Sequence, residues 1–259
     1  MLKRIFICIT IFFQSFCSYA LVETSSDIDE SFFPLSEENV IILNNGGYVS
    51  GFSEKYGIPL WVAYITEFPF KFESSRKGKF VKDSRINNSP TPKDYIGSGY
   101  DKGHMAPSYA VGRNYGKYIQ QNTFYLTNIV PQSVALNRGI WKKAEQYIAN
   151  KLAVKYGKVL VIVGPIFNKE NTVLEGKYKS RNIFIPTATF MVLMIEEDSN
   201  IHLMAFIMPQ NPDSKDIWEY ATTVRTVENQ TSLNFFHTFE PLFQNTLETE
   251  SNIDLFKNN

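Results

Sequence analysis

Short apolar runs separated by polar turns dominate much of the chain, and this pattern predicts β-strands. Regular patterning begins with Val40-Ile41-Ile42-Leu43, and the turn Asn44-Asn45-Gly46-Gly47 follows it. Runs rich in β-branched and aromatic residues are typical of buried strands. We expect such strands at 48–52, 60–65, 159–163, 183–185, 190–195 and 202–207.

Helical spacing is clear in one stretch, about residues 139–156. The apolar residues at this spacing are Trp141, Ile148, Leu152 and Tyr156. Gly157 suits the position just after a helix end. A second helical stretch is expected at about 213–228, whereas 71–100 has the composition of a loop. Because helices and strands do not alternate as βαβ units, the pattern favours an α+β fold with a central antiparallel sheet flanked by helices.

Residues 1–20 have the pattern of a secretory signal peptide. Lys3 and Arg4 precede an apolar run at 5–13, and Ser18-Tyr19-Ala20 places small residues where a signal peptidase reads the chain. The apolar run is shorter than the ~20 residues that a membrane-spanning helix needs. We therefore expect export of a mature chain without a membrane anchor, to the periplasm or the cell exterior.

The rest of the sequence predicts a single domain. Residues 21–39 are polar and acidic and are expected to form a loosely held leader. The patterned stretch, 40–245, has the length of one domain, and no linker or repeat divides it. Residues 246–259 are expected to form a C-terminal tail.

Composition excludes several classes of protein but does not point to a partner. With 259 residues, 44% apolar and 20% charged, the chain is neither collagen-like nor disordered nor a coiled coil. Its 26 basic residues equal its 26 acidic ones, so net charge gives no argument for nucleic-acid binding. Both cysteines, Cys8 and Cys17, lie in the predicted signal peptide. A mature chain would therefore lack thiol nucleophiles and thiolate metal ligands.

One of the three histidines is a candidate for chemistry. His202 lies in an apolar strand and His237 follows two phenylalanines, so we expect both to be structural. His104 ends the segment Asp101-Lys102-Gly103-His104, just after the flexible Gly97-Ser98-Gly99. A carboxylate three residues before an imidazole can fix its tautomer, and the glycine between them allows a substrate to approach the backbone.

Asn137 and Glu145 have two interpretations each. Asn137 lies at the start of the predicted helix, where an amide commonly caps the helix. It would equally serve as a neutral oxygen ligand for a hard cation such as Mg²⁺. Glu145 lies two turns further on a similar face and could hold a metal-bound water, or be a solvated helix residue. Spacing alone leaves these alternatives open.

Together, Asp101-Lys102-Gly103-His104, Asn137 and Glu145 resemble the active-site motif of the DNA/RNA non-specific endonucleases, the family of Serratia nuclease and endonuclease G. The flanking segments 94–100 and 124–132 are similar to the family as well. The resemblance extends in order over about residues 40–240. It implies a ββα-metal active site within the α+β fold.

The resemblance also implies a role for each matching residue. His104 would be the general base that activates water, and Asn137 would bind Mg²⁺, although Mn²⁺ suits the same ligand. Glu145 would orient metal-bound water, Asn128 would support the site by hydrogen bonds, and Asp101 would position the motif. DNA and RNA would both be substrates, without sequence specificity, and cleavage would leave 5′-phosphates.

Substrate contacts are predicted from basic residues. Lys102 stands where the family most often has arginine, so it keeps the charge but loses the bidentate fork. Arg85 resembles a substrate arginine of the family, and Arg138 begins a basic stretch in 135–160. We interpret that stretch as a phosphate-contacting wall, although a solvated helix face has the same composition. Ala149 occupies a position where many members have arginine.

The sequence therefore predicts an exported, Mg²⁺-dependent, sugar-non-specific endonuclease. The departures at Lys102 and Ala149 leave open a phosphodiesterase of the same fold that acts on another substrate. A catalytically inactive nucleic-acid-binding protein is a third alternative. The sequence does not predict the oligomeric state.

Overall fold

The structure is a computed structural model that describes the backbone of residues 21–22, and residues 28–75, 78–168, 170 and 172–257. The predicted signal peptide, 1–20, and part of the predicted leader, 23–27, lie outside the described residues. The strands in chain order are β1 Leu21–Val22, β2 Leu35–Ser36, β3 Ile41–Asn44, β4 Tyr48–Ser53, β5 Ile58–Glu67, β6 Asp101–His104, β7 Ile129–Gln132, β8 Lys158–Ile166, β9 Ala188–Glu197, β10 Asn200–Pro209, β11 Ala221–Thr222 and β12 Leu233–Asn234.

Eight of these strands form one sheet in the order β1-β3-β4-β5-β8-β9-β10-β11. Neighbouring strands are antiparallel, apart from the parallel pair β1 and β3. The central strands are apolar almost throughout because both faces of the sheet are covered. The predicted α+β fold with a central antiparallel sheet is confirmed.

The helices cover the two faces of this sheet. They are α1 Ser108–Gln120, α2 over 136–156, α3 Val224–Thr231, α4 Pro241–Thr249 and α5 Ile253–Lys257. Helix α2 consists of four consecutive segments, of which Leu136–Trp141 and Ile148–Leu152 have wide π-type turns and Lys142–Tyr147 and Ala153–Tyr156 are regular. No helix among the described residues has the length and hydrophobicity to cross a membrane.

Two apolar clusters fix the layers. On one face, Trp141 and Ile148 of α2 are buried in one cluster with Val62 and Val161 of the sheet. On the other face, helices α3 and α4 bury apolar residues against Trp61 and its neighbours. The elements β6, β7 and α2 thus all lie on one face of the sheet.

The structure corrects two predicted elements and adds one. The predicted strand at 183–185 is wrong: Phe184 makes only an isolated bridge to Val173, and the run is extended loop. The single helix predicted at 213–228 is also wrong, because Asp216 caps a short 3-10 turn, Ile217–Tyr220, before Thr223 caps α3. Helix α1, which has no counterpart among the predicted elements, follows β6 directly.

The terminal segments pack onto the domain where the structure describes them. In the predicted leader, β2 pairs with β12 and Phe33 packs against Trp61 with ring centroids 5.3 Å apart. In the predicted tail, Phe256 is fully buried and its carbonyl accepts a hydrogen bond from the Tyr147 hydroxyl at 2.7 Å. The boundary at residue 245 is therefore no break in the structure, since it falls inside α4.

Candidate active site

Two short strands and the following helix build the candidate site. Strand β6 pairs antiparallel with β7, so that His104 lies opposite Ile129 and Asp101 opposite Gln132. The chain then enters α2, and residues of β6 and α2 line a cleft of about 680 Å³. The residues that line the cleft are Phe80, Tyr100, Asp101, Lys102, His104, Pro107, Ser108, Tyr109, Ala110, Asn137, Arg138, Lys142, Glu145 and Gln146.

The imidazole of His104 is held between aromatic rings at the end of β6. It packs edge-on against Phe124, with centroids 5.1 Å apart and an interplanar angle of 88°, and lies 5.2 Å from the Phe80 ring. Only 9% of His104 is exposed, and it lines the cleft. The ring is thereby restricted in orientation and shielded from bulk water on most sides, as a positioned proton acceptor requires.

Asn128 fixes the backbone that follows His104. Its amide oxygen accepts from the Ala106 N–H at 2.9 Å, and its amide nitrogen donates to the carbonyls of Ala106 at 3.0 Å and Thr123 at 2.9 Å. The side chain is completely buried. Asn128 therefore satisfies three buried backbone groups and does not line the cleft, which makes it a positioning residue.

Gly103 is required by packing between Lys102 and His104. A Cβ at this position would overlap the side chain of the fully buried Gln132, on the strand opposite. Glycine at this position of β6 therefore leaves the space that the Gln132 side chain occupies.

Asp101 ties together two residues of the first turns of α2. Its carboxylate accepts two hydrogen bonds from the Arg138 guanidinium, both at 2.7 Å, and one from the Asn137 amide nitrogen at 2.9 Å. These contacts hold the pKa of Asp101 below its usual range, mainly through Arg138. Since the amide nitrogen of Asn137 is committed to Asp101, its carbonyl oxygen is the part left for another ligand.

The structure excludes one of the two interpretations of Asn137, that of a helix cap. The helix is capped by Ser133, whose hydroxyl accepts from the Leu136 N–H at 3.1 Å and whose carbonyl accepts from the Asn137 N–H at 2.9 Å. Asn137 is therefore not the cap, and its side chain lines the cleft. Glu145 lines the same cleft two turns along the helix.

Lys102 is half-buried at the edge of the cleft. Its ammonium lies 5.4 Å from the ring centroids of both Phe80 and Tyr95. Burial lowers the pKa of this ammonium, while the neighbouring Asp101 carboxylate acts in the opposite direction. The aromatic pair holds this charge at the edge of the cleft.

Arg85 does not line the cleft, unlike the other two predicted substrate contacts, Lys102 and Arg138. Its guanidinium donates to both carboxylate oxygens of Asp83, at 2.9 and 2.6 Å, to the Asn44 carbonyl at 2.9 Å and to the Asn45 side chain at 2.6 Å. These contacts tie the 83–85 loop to the turn between β3 and β4. Arg85 is thus held by structural contacts outside the cleft, and its role as a substrate contact stays a prediction.

The cleft also contains residues that the sequence patterns did not indicate. Tyr109 lies in the first turn of helix α1, and Gln146 follows Glu145 on α2. Pro107-Ser108 before an amphipathic stretch was the available signal for α1, because proline and serine favour helix starts. Phe80 lies in a stretch predicted as loop, and loop sequence gives no sign of which ring will contact His104.

The donor set suits a hard cation held by few protein ligands. No group of three or more His, Cys, Asp or Glu within the described part of the chain could hold a metal ion. Asn137 lines the cleft, and its amide nitrogen is held by the Asp101 carboxylate. Mg²⁺ keeps several waters and takes one or two protein oxygens plus substrate phosphates, so these residues fit it. The ordering of a ligand by an outer partner is common at metal sites.

Sequence comparison relates the chain to known nucleases. The family model described as DNA/RNA non-specific endonuclease matches residues 24–241. The mitochondrial nuclease 1 of Schizosaccharomyces pombe is 31% identical over 222 residues, which span 77% of this chain and 66% of that protein. The nuclease of Nostoc sp. is 26% identical over 83% of this chain and 80% of its own length. Mitochondrial endonuclease G of Homo sapiens is 30% identical over 62% of this chain and 57% of its own.

Structural comparison gives the same fold. A crystal structure of the EndoG/EndoGI complex superposes with a TM-score of 0.71 and covers 82% of this chain and 91% of the matched chain, at 24% identity. The shared fold includes the central antiparallel sheet that carries the β6, β7 and α2 motif. The family match spans most of the sequence, from the predicted leader to the start of α4. The chain belongs to the DNA/RNA non-specific endonuclease family.

Proposed function

We propose that this protein is a divalent-metal-dependent endonuclease that hydrolyses phosphodiester bonds in both DNA and RNA. The observation that supports this most is the convergence of His104, Asn137 and Glu145 on one cleft, from β6 and from two turns of α2. Family membership supports the same reaction class. Because no base-recognition element is evident in the described part of the chain, binding is expected to depend on the phosphate backbone rather than on base identity.

In this proposal His104 is the general base. The imidazole accepts a proton from a water, and the water oxygen bonds to phosphorus while the bond from phosphorus to the 3′ oxygen breaks. The 3′ oxygen leaves and takes up a proton, so the products are a 3′-hydroxyl and a 5′-phosphate. The rings of Phe80 and Phe124 hold the imidazole in place and exclude competing water from its sides. Such a base contributes about 10²–10⁴-fold to the rate.

Asn137 is proposed to hold Mg²⁺ through its amide oxygen, and Glu145 to order the water around it. Bound there, the cation supplies charge stabilisation at the phosphate and at the leaving oxygen. Asp101 keeps the Asn137 oxygen directed away from itself by accepting the amide N–H at 2.9 Å. Mn²⁺ would suit the same neutral oxygen ligand.

The charge of the cleft suits a phosphate chain. Its lining carries three cationic side chains, Lys102, Arg138 and Lys142, against two carboxylates, Asp101 and Glu145. Asp101 is already paired with Arg138, so the two lysines face only the Glu145 carboxylate and the lining has an excess of one positive charge. Binding should therefore weaken as salt concentration rises.

The test is cleavage of supercoiled plasmid and of total RNA by the purified protein. We expect both to be degraded with Mg²⁺, neither to be degraded with EDTA, and the fragments to be ligated without prior phosphorylation. Small phosphodiesters serve as the comparison substrate. Cleavage of small diesters with plasmid and RNA left intact would contradict the proposal and favour a phosphodiesterase of the same fold.

We also propose that residues 1–20 direct export. They combine a basic start with a continuous apolar run, whereas mitochondrial targeting segments are amphipathic and rich in arginine. Several relatives are named as mitochondrial proteins, so the two destinations need to be separated. N-terminal sequencing of the protein from a bacterial host should give a chain that begins at Leu21 in the exported fraction. An uncleaved chain retained in the cytoplasm would contradict export.

A further inference from the structure

A row of aromatic rings, of which Tyr109 and Phe72 are exposed and Phe70 is partly buried, continues from the cleft along helix α1. Tyr109 lines the cleft and is 43% exposed. Arg113, one turn later, lies over the Phe70 ring, with its guanidinium carbon 3.3 Å from the ring centroid. Phe72, which is 50% exposed, lies over Gly116, where an added Cβ would be 3.5 Å from the Phe72 ring. Large exposed rings in a row are unusual on a surface that has no partner.

The row is held rigidly against the helix. The backbone N–H groups of Lys71 and Phe72 both donate to the Arg113 carbonyl at 3.0 Å, which fixes the loop to α1. Phe68 packs edge-on against Phe70, with centroids 5.5 Å apart. The rings are therefore presented in fixed positions rather than on a freely moving loop, so little entropy is lost when a ligand stacks on them.

A polar stripe of α2 runs beside this row. Lys142, Gln146 and Asn150 are exposed at intervals of four residues, and the first two line the cleft. The Asn150 side chain accepts hydrogen bonds from the Arg113 guanidinium at 3.0 Å and from the Tyr109 hydroxyl at 3.1 Å. The Tyr109 hydroxyl also accepts from Arg113. The two helices are thus joined at the point where the cleft passes into the aromatic row.

The rings and charges of this surface indicate the chemical class of ligand that it would bind. An exposed ring face beside cations suits a ligand that offers flat apolar faces and negative charge, as nucleic-acid bases and phosphates do. Arg113, Lys117, Lys142 and Lys151 supply positive charge on the two helices, and Glu73 is the exposed acid close in sequence to Phe72. In a duplex the base faces are covered by neighbouring pairs, so only unpaired bases can stack on these rings.

We propose that Tyr109, the Phe70–Arg113 pair and Phe72 form a stacking platform for unpaired bases of the substrate strand next to the bond that is cut. This rests on the proposed nuclease function. Gly116, where α1 is kinked, comes seven positions after Tyr109, which corresponds to about 10 Å at the helical rise of 1.5 Å per residue. That length accommodates about three steps of a stacked strand at ~3.4 Å each. Single strands are therefore the preferred substrates, and duplexes are cut where they open.

The test compares binding of single-stranded and double-stranded DNA, measured by fluorescence anisotropy in EDTA so that no cleavage occurs. Tyr109→Ala should weaken binding of a labelled 12-mer single strand about tenfold, and change binding of the matched duplex less than twofold. Tyr109→Phe keeps the ring and should bind the single strand like the wild type. Phe243→Ala is the matched control, because Phe243 is a 46% exposed ring on the opposite face of the sheet.

Two outcomes would overturn the platform: single-strand binding by Tyr109→Ala within twofold of the wild type, or an equal loss on both ligands. Plasmid cleavage by the wild type with Mg²⁺, measured alongside, separates this inference from the proposed function. If the wild type cleaves plasmid and Tyr109→Ala binds the single strand normally, the platform is wrong and the nuclease function stands. A folded wild type that neither cleaves nor binds DNA removes the nuclease function and the platform with it.

Discussion

Replacement of Asp101 by asparagine should lower catalytic activity far more than it lowers the stability of the fold. The Asp101 carboxylate only accepts hydrogen bonds, two from Arg138 and one from the Asn137 amide nitrogen. The amide introduced by Asp101→Asn keeps only one acceptor oxygen and loses the negative charge that now accepts from all three donors. The Asn137 amide is then held less firmly, so that its oxygen is oriented less well in the cleft. A cation that needs that oxygen should bind more weakly.

The structure predicts a small loss of stability and a large loss of activity. The Arg138 side chain is 68% exposed, so its ion pair contributes about 0–1 kcal/mol. The amide hydrogen bond adds about 1 kcal/mol. A total of about 1–2 kcal/mol lowers the melting temperature by roughly 2–8 °C for a domain of this size. Loss of an outer partner of a metal ligand, in contrast, lowers affinity or activity by about 10–100-fold.

The assay is plasmid cleavage as a function of Mg²⁺ concentration, with thermal unfolding followed on the same samples. We expect Asp101→Asn to need far more Mg²⁺ for half-maximal rate. The matched control is Glu175→Gln, which breaks a 2.8 Å ion pair to Lys179 outside the cleft. Glu175→Gln should change neither property by much. A folded Asp101→Asn variant with the wild-type Mg²⁺ dependence would refute the role assigned to this carboxylate.

Three further changes test the supports of the site and of the fold. Gly103→Ala should destabilise the fold and lower activity, since the new Cβ overlaps the Gln132 side chain; unchanged thermal melts would contradict this. Asn128→Ala leaves three buried backbone groups without partners, and we expect about 3 kcal/mol or more of lost stability in urea unfolding. Burial, and then the Glu228 carboxyl, raise the pKa of Glu248 to about 7. Because the folded protein then holds a proton that the unfolded chain has lost, stability should fall as pH rises from about 4.5 to 7. Glu248→Gln should accordingly melt higher than the wild type at pH 8, and an equal or lower melting temperature there would contradict this assignment.

The parts of the fold that the sequence predicts are those with a strong local pattern of apolar residues. Strands at 60–65, 159–163, 190–195 and 202–207 lie inside β5, β8, β9 and β10. Their apolar runs are continuous because the sheet is covered on both faces. The run at 183–185 is equally apolar, but Ile183 is buried by a loop that packs on the sheet rather than by strand pairing. Periodicity does not distinguish these two ways of burying a residue.

The features of the site likewise divide into those that the sequence predicts and those that only the structure reveals. The segment Asp101-Lys102-Gly103-His104 and the spacing to Asn137 and Glu145 are visible along the chain, and the cleft contains all of these residues except Gly103. The structural position of Arg85 was not predictable, because two of its partners, Asn44 and Asn45, lie 41 and 40 positions earlier in the chain. The bonds from Asp101 to Arg138 and Asn137 join residues more than thirty positions apart, so only the pairing of β6 with β7 reveals them.

The central claim is that His104 acts as the general base and Asn137 binds the metal ion. One paired measurement tests this claim most directly. Cleavage rate and Mg²⁺ affinity, by calorimetry, would be measured for the wild type, His104→Ala and Asn137→Ala. We predict that His104→Ala loses cleavage by about 10²–10⁴-fold and binds Mg²⁺ as the wild type does, while Asn137→Ala binds Mg²⁺ weakly and recovers part of its activity at high Mg²⁺. A His104→Ala variant that still cleaves, or an Asn137→Ala variant with unchanged Mg²⁺ affinity, would contradict the account.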